Sequence, residues 1–370
     1  MRRTPLAALL IALALAPTAA ALRAQDPPAD SARGKKPGKE KKEKTEDGAR
    51  AAGEARVPGV FASDSVLPLT ITANLKALAR DRGEKRPWHG ATLARAAAGG
   101  RAVTLPARLR TRGIYRLKMC SYPPLRLDIA KGAPKDSLFD GTGEPKIVAQ
   151  CADGEKWERY LLEEYLIYRT YQLFTPLSFR ARLARITWAD SAGGSPKTRW
   201  AIIVEDPERL ARRNGGRVLE VKGAKSDDLD PYQSALFAVF QYFAGNTDWS
   251  ISALHNVELV QQPGIIHPVA YDFDWSGVIS TTYATPDPRL KTRSVSERVY
   301  RGWCANNAEL PKVLALFNEK KDAIYALYRS ASWLDPKEVK RSLDYYDDFY
   351  ETINDRARME REIVKACRVE

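Results

Sequence analysis

The spacing of apolar positions divides the chain into a strand-rich first part and a helical second part. Short alternating or β-branched runs predict strands at residues 67–75, 102–118 and 125–129 and a brief one at 145–150. A hairpin is expected from residues 183–188 and 199–205 around a Ser-Ala-Gly-Gly-Ser-Pro loop. Between these strands, KWERYLLEEYLIYRTYQLF at 156–174 repeats its apolar and aromatic residues every three or four positions, the mark of an amphipathic helix. From residue 231 helices dominate: PYQSALFAVFQYFA at 231–244 reads as buried, and further helices are predicted at 294–300, 310–330 and 336–365. One hairpin interrupts them, with strands at 255–260 and 265–271 joined through Gln-Gln-Pro-Gly.

That second hairpin carries the candidate chemistry. Pairing its strands across Pro263 and Gly264 brings the start of one beside the end of the other, so Asn256 and Asp272 are expected to lie together, with Asp248 just upstream. Two oxygen ligands at one hairpin end suit Mg²⁺. Phosphoryl transfer needs a cation to neutralise the phosphates and a separate carboxylate to orient the attacking hydroxyl. Asp248 is then the base, Asn256 and Asp272 the metal ligands, and Asp274 a source of a second metal oxygen. The competing structural reading makes Asp248 a helix-end residue, Asn256 a turn residue and the Asp-Phe-Asp a strand-end turn.

The N-terminus reads differently. Arg2 and Arg3, the apolar residues 6–16 and the small residues around 19–24 form the three zones of a secretory signal peptide at 1–24, with cleavage expected between Ala21 and Gln25. The apolar zone is shorter than the roughly 20 residues of a membrane-spanning helix. No transmembrane segment is expected in the mature chain, and its destination is periplasmic or extracellular. Residues 25–56, with the run GKKPGKEKKEKTEDG, hold too few large apolar side chains to offset the entropy of ordering and read as a disordered charged linker. A strand-rich lobe at 57–205 and a helical lobe at 206–370 follow.

Charge and cysteines add little that is specific. The 59 Lys and Arg against 46 Asp and Glu give a formal charge of +13, spread along the chain rather than gathered between aromatics. No nucleic-acid motif is present, and no nucleic-acid partner is expected. Four cysteines in an exported chain suggest two disulfides, for which Cys120 with Cys151 and Cys304 with Cys367 are the favoured pairs.

A strand lobe with one helix, followed by a helical lobe holding a hairpin, is the layout of protein kinases, an α+β fold of two lobes. In that layout a strand lysine binds phosphates and pairs with a glutamate of the following helix. Lys146 with Glu163 or Glu164 suits the pair, Arg126 is the competing cation, and Glu205 falls where a nucleotide-contacting hinge is expected. The ordered phrases RLRTRGIYRLK, PPLRLDI, KIVAQC, EEYLIYR, WAIIVED, GNTDWSISALHN and PVAYDFDWSG resemble the spore coat protein H (CotH) kinase family over roughly residues 106–277. The resemblance implies an atypical, secretory-type protein kinase fold that uses ATP and a divalent cation (Mg²⁺ or Mn²⁺) to phosphorylate protein hydroxyls. It gives Asp248 the role of catalytic aspartate and Asp272 that of metal aspartate, with Asn256 a looser match.

The chain departs from kinase patterns in three places. Asn256 follows Asp248 by 256 − 248 = 8 positions, where the protein-kinase catalytic loop has about five. The Asp-Phe-Asp lacks the usual glycine, and Arg112 with Gly113 is the nearest substitute for a glycine-rich phosphate loop. Because an exported protein meets little ATP, a catalytically inactive scaffold that binds an envelope protein is the alternative. A metal-dependent hydrolase, with only His255 and His267 nearby, is the third reading.

Overall fold

A computed structural model describes residues 59–96, 102–129 and 138–369. The expected signal peptide and charged linker lie outside the described residues. Among the described residues no helix is long and apolar enough to cross a membrane.

Strand β1 (Leu67–Ala73) leads through the short helix α1 (Leu75–Arg80) to β2 (His89–Ala96) and β3 (Ala102–Thr111). Next come α2 (Tyr115–Met119), β4 (Leu125–Ile129), β5 (Lys146–Ala149) and the long helix α3 (Glu155–Tyr171). A hairpin of β6 (Ala181–Asp190) and β7 (Lys197–Val204) follows. These seven strands close into a barrel in the order β1, β2, β3, β4, β5, β7, β6, and β6 returns to β1 in parallel register, Leu69 facing Ile186. Ile71, Leu93, Leu109, Leu127, Ile147 and Ile203 meet inside it, each at most 1% exposed.

The expectation of a two-lobed protein-kinase-like fold is corrected here. The strand-rich part is a sheet closed on itself around its own core, with β1 joined to both β2 and β6. Closure removes the open edges of a sheet lobe. The coarser assignment, α+β, holds.

The helical part begins with α4 (Pro207–Arg213) and β8 (Arg217–Val218), then the buried helix α5 (Pro231–Ala244). Strands β9 (Val257–Gln262) and β10 (Ile265–Ala270) form the second hairpin, with β8 as third strand. The chain ends in α6 (Leu310–Arg329), α7 (Pro336–Asn354) and α8 (Arg356–Met359), followed by a π-helical turn at Glu360–Val364. A second core joins α3, α5, α6 and α7 to the outer face of the barrel. Val148, Ile202 and Val204 belong to it, while Ile147 and Ile203 point into the barrel. Strands buried on both faces read as continuous apolar runs, which is why KIVA and AIIV show no alternation.

Several boundaries moved for local reasons. The strand expected over 102–118 stops at Thr111, because Gly113 turns the chain with φ 85° and α2 follows. No helix forms over 294–300. There Ser294 Oγ and Ser296 Oγ are 2.7 Å apart and Ser294 Oγ accepts from the Ser296 N–H, giving the backbone a local alternative to a helical turn. The helix expected over 336–365 ends at Asn354, where Asp355 accepts from the Arg358 N–H and caps a new start. Strand β2 was not anticipated, since only Leu93 of its eight residues is buried.

Both disulfides join the favoured pairs, Cys120 to Cys151 and Cys304 to Cys367. Paired cysteines are compatible with an exported protein.

Candidate functional site

Helix α5 aims the chain at the site. Its last turn ends at Gly245, φ 68°, the left-handed cap position. A side chain there would collide with the Tyr345 hydroxyl, and Gly277 donates its N–H to the Gly245 carbonyl at 3.0 Å. The chain therefore leaves α5 in one direction, and three residues later presents Asp248.

Asp248 is held from every side. Its N–H donates to Asn246 Oδ1 at 3.0 Å. Its Oδ1 lies 2.8 Å from His255 Nε2, and Asn256 Nδ2 donates to its Oδ2 at 2.9 Å and to its carbonyl at 2.7 Å. The hydrogen bond to Asp248 raises the His255 pKa, more than burial lowers it. Arg301 secures the loop from behind by donating to the carbonyls of Thr247 and Trp249, at 2.6 and 2.9 Å.

The hairpin places Asn256 opposite Tyr271, as its register requires, and the Tyr271 N–H donates to the Asn256 carbonyl at 3.3 Å. Leu254, Asn256 and Asp272 all take positive φ, at 53°, 53° and 62°. Asn and Asp tolerate this region, whereas a leucine there is strained, and such strain concentrates at functional sites. Asp272 is fixed through its N–H, which donates to the Tyr168 hydroxyl of α3 at 2.9 Å.

One cation gathers the carboxylates. The Arg116 guanidinium of α2 donates to both oxygens of Glu164 at 2.9 and 3.2 Å, bonds Asp272 Oδ1, and sits 3.3 Å from Asp274 Oδ2. Burial alone would raise the Asp272 carboxyl, but Arg116, Arg112 and a hydrogen bond from Asp274 hold it at about 2. Asp274 is pushed well upward, by burial first and then by the Asp272 charge, although Arg116 opposes this. The two carboxyls are therefore pushed in opposite directions, Asp272 down and Asp274 up. Asp274 Oδ2 also accepts from the Tyr283 hydroxyl at 2.9 Å.

Asp248, Asn256, Asp272, Asp274, Arg112 and Arg116 face a single cavity of about 390 Å³. Of the expected site residues, the structure brings together Asp248, Asn256, Asp272 and Asp274, with Glu164 behind Arg116. Glu163 points elsewhere: it is buried against Arg159, Arg341 and Ser342, and burial raises its pKa to about 8. Glu205 is also a structural carboxylate, accepting from Arg213 at 2.9 Å and from the Arg180 N–H at 3.1 Å.

Lys146 does not pair with either expected glutamate. Its Nζ is 3.8 Å from Glu258 Oε1 and lies over the rings of Tyr271 and Phe179, 4.0 and 5.0 Å from their centroids. Cross-strand pairing sets Lys146 beside Arg126, and Arg126 beside Arg110. Arg126 and Arg110 reach the same Glu144 oxygen, at 3.4 and 3.5 Å. A row of cations therefore runs across β3, β4 and β5 toward Arg112 at the cavity.

Sequence reasoning missed Arg116, Glu258 and Tyr168, and weighed His255 only for a hydrolase, not as a partner of Asp248. Arg116 was visible only as one letter of an arginine-rich phrase placed on a strand. Among the described residues, no three His, Cys, Asp or Glu converge as a metal cage. The donor set nevertheless fits Mg²⁺, which is commonly held by one or two carboxylates, with phosphates and water completing its shell. Asp272 and Asp274 offer two carboxylates to the same cavity. Asn256 spends its amide nitrogen on Asp248, so its amide oxygen is the atom suited to a cation. No family model matches this chain, and no curated protein matches it.

Proposed function

We propose that this chain is an exported phosphotransferase that moves the terminal phosphoryl group of ATP, with Mg²⁺ or Mn²⁺, to a protein hydroxyl. The observation that carries the reading is the cavity that collects Asp248, Asn256, Asp272 and Asp274 beside a row of cations. Asp248, oriented by His255 and Asn256, accepts the hydroxyl proton as the acceptor oxygen bonds to phosphorus and the ADP oxygen leaves. Arg112, with Lys146 and Arg126 behind it, offers positive charge to the phosphate chain. Asp272, Asp274 and Asn256 would hold the cation, which would supply neutralisation of the phosphate charge. The reading agrees with the chemistry implied by the resemblance to the CotH family, and it rests on the site alone.

A second reading has its own support. Asp272 already has Arg116 as counter-cation, and Lys146 is engaged by Glu258. A scaffold that binds an envelope protein through this face, without turnover, needs no more than that.

Thermal unfolding with and without Mg-ATP, beside Asp272→Ala, separates the two. A ligand at about 100 times its Kd adds roughly 2.7 kcal/mol, so a rise of about 5 °C or more is expected, dependent on the metal and absent in the variant. No rise at millimolar nucleotide and metal, with both proteins folded, sinks the phosphotransferase reading and leaves the scaffold.

A further inference from the structure

Five large apolar side chains are exposed among the described residues, and three of them fall in the stretch 114–119, the first two lining the cavity. The three are Ile114 at 73%, Tyr115 at 46% and Met119 at 38%. Ile114 and Tyr115 also line the cavity itself, together with Leu254 and Trp275. The apolar surface is thus continuous with the charged floor.

This lip is held rigidly. Arg82 donates to the carbonyls of Leu117 and Cys120 at 2.7 and 2.9 Å. Cys120 is tied to Cys151, Arg116 is locked among three carboxylates, and the Tyr115 hydroxyl donates to the Tyr283 carbonyl at 3.1 Å. The Tyr115 ring meets Trp275 edge to face, with centroids 5.3 Å apart. A loose loop could fold its apolar side chains away from water, and this one cannot. A preorganised apolar surface binds without an ordering cost.

We propose that the lip is a subsite for a large apolar side chain of a polypeptide, adjacent to the residue whose hydroxyl enters the cavity. The role of that hydroxyl rests on the phosphotransferase reading. Three side chains are far too few for a stable interface between copies, which covers about 800 Å² on each partner. The ligand must also present an apolar group and a polar group a few ångströms apart, because the lip and the charged floor adjoin. An extended peptide with leucine or phenylalanine beside serine does so.

The test uses fluorescein-labelled glycine-rich peptides with one serine, flanked by leucine, phenylalanine or glycine. Anisotropy is read on the full chain and on the Ile114→Ser, Met119→Ser double variant. About tenfold tighter binding of the leucine and phenylalanine peptides is expected, with the preference lost in the double variant at an unchanged unfolding midpoint. Equal binding of all three peptides, or a preference that survives the substitutions, overturns the proposal. So does a dimer in sedimentation, or flotation with anionic vesicles, that the same substitutions abolish. Transfer of labelled phosphate from ATP to these peptides is scored separately. An apolar preference without transfer supports the lip and counts against the phosphotransferase reading, whereas transfer without preference overturns the lip alone.

Discussion

An ammonium group enclosed by two aromatic rings and a single carboxylate, as at Lys146, is costly to charge. Burial lowers its pKa to about 7; Arg112 and Arg126 push the same way, while Glu258 and Asp272 oppose them. In the unfolded chain the amine keeps its ordinary pKa of about 10.4. Between these values the unfolded state binds the extra proton, so stability rises with pH across this window and falls as pH drops through 7. Lys146→Met removes the titration. Denaturant unfolding of both proteins from pH 6.5 to 9.5 is predicted to show wild type gaining on the variant by on the order of 2–4 kcal/mol. A difference independent of pH would mean that the lysine is charged throughout, well solvated or fully paired. The lysine itself was legible as a strand cation just before a helix, though not as a buried one. Its partner was not, since Glu258 lies 112 residues further along (258 − 146) on a different sheet.

Helix α2 has five residues and cannot sustain itself, because nucleation of a single turn is unfavourable. It exists because Arg82, the Cys120 disulfide and Arg116 fix it against the barrel and α3. Arg116 is the decisive tie, and Arg116→Ala leaves Glu164, Asp272 and Asp274 without their shared counter-cation. Breaking a buried charge cluster in this way is expected to cost about 3–5 kcal/mol in denaturant unfolding. Arg116→Lys should recover only part, since one ammonium cannot reproduce a planar guanidinium that meets three carboxylates. A loss under about 1 kcal/mol for the alanine variant would show that the carboxylates redistribute their protons and that the cluster is not a tie. At this scale the hairpin was readable, because Pro263 and Gly264 fix its register locally and bring Asn256 beside Asp272. Helix α2 was not, because the strand alternation of RLRTRG continues to Thr111 and the contacts of Arg116 lie 48 and 156 positions away.

For the whole molecule, the barrel and the helical core share the wall of β5, β6 and β7, so a disturbance in one reaches the other. Barrel closure was illegible for a physical reason. The parallel register of β1 with β6 joins residues near 70 to residues near 187, and β2, the strand beside β1, offers a single buried side chain. The two disulfides cross-link separate places in this body, and that separation supports a last prediction. Cys304 and Cys367 tie the start of the 304–309 turn to the chain end over a separation of 63 residues, and neither lines the cavity. Chain entropy gives such a link about 4 kcal/mol, and the 31-residue separation of Cys120 and Cys151 a little less. Replacing either pair by serine should therefore lower the Tm by a similar amount, about 10 °C. Only loss of the Cys120–Cys151 pair should speed amide exchange over residues 114–119, because that stretch is anchored there and has no internal stability of its own. If exchange at 114–119 stays slow without that disulfide, Arg82 and Arg116 suffice to hold the cavity edge. If it quickens equally when Cys304 and Cys367 are lost, the two cores open together, and the cavity edge has no independent anchor.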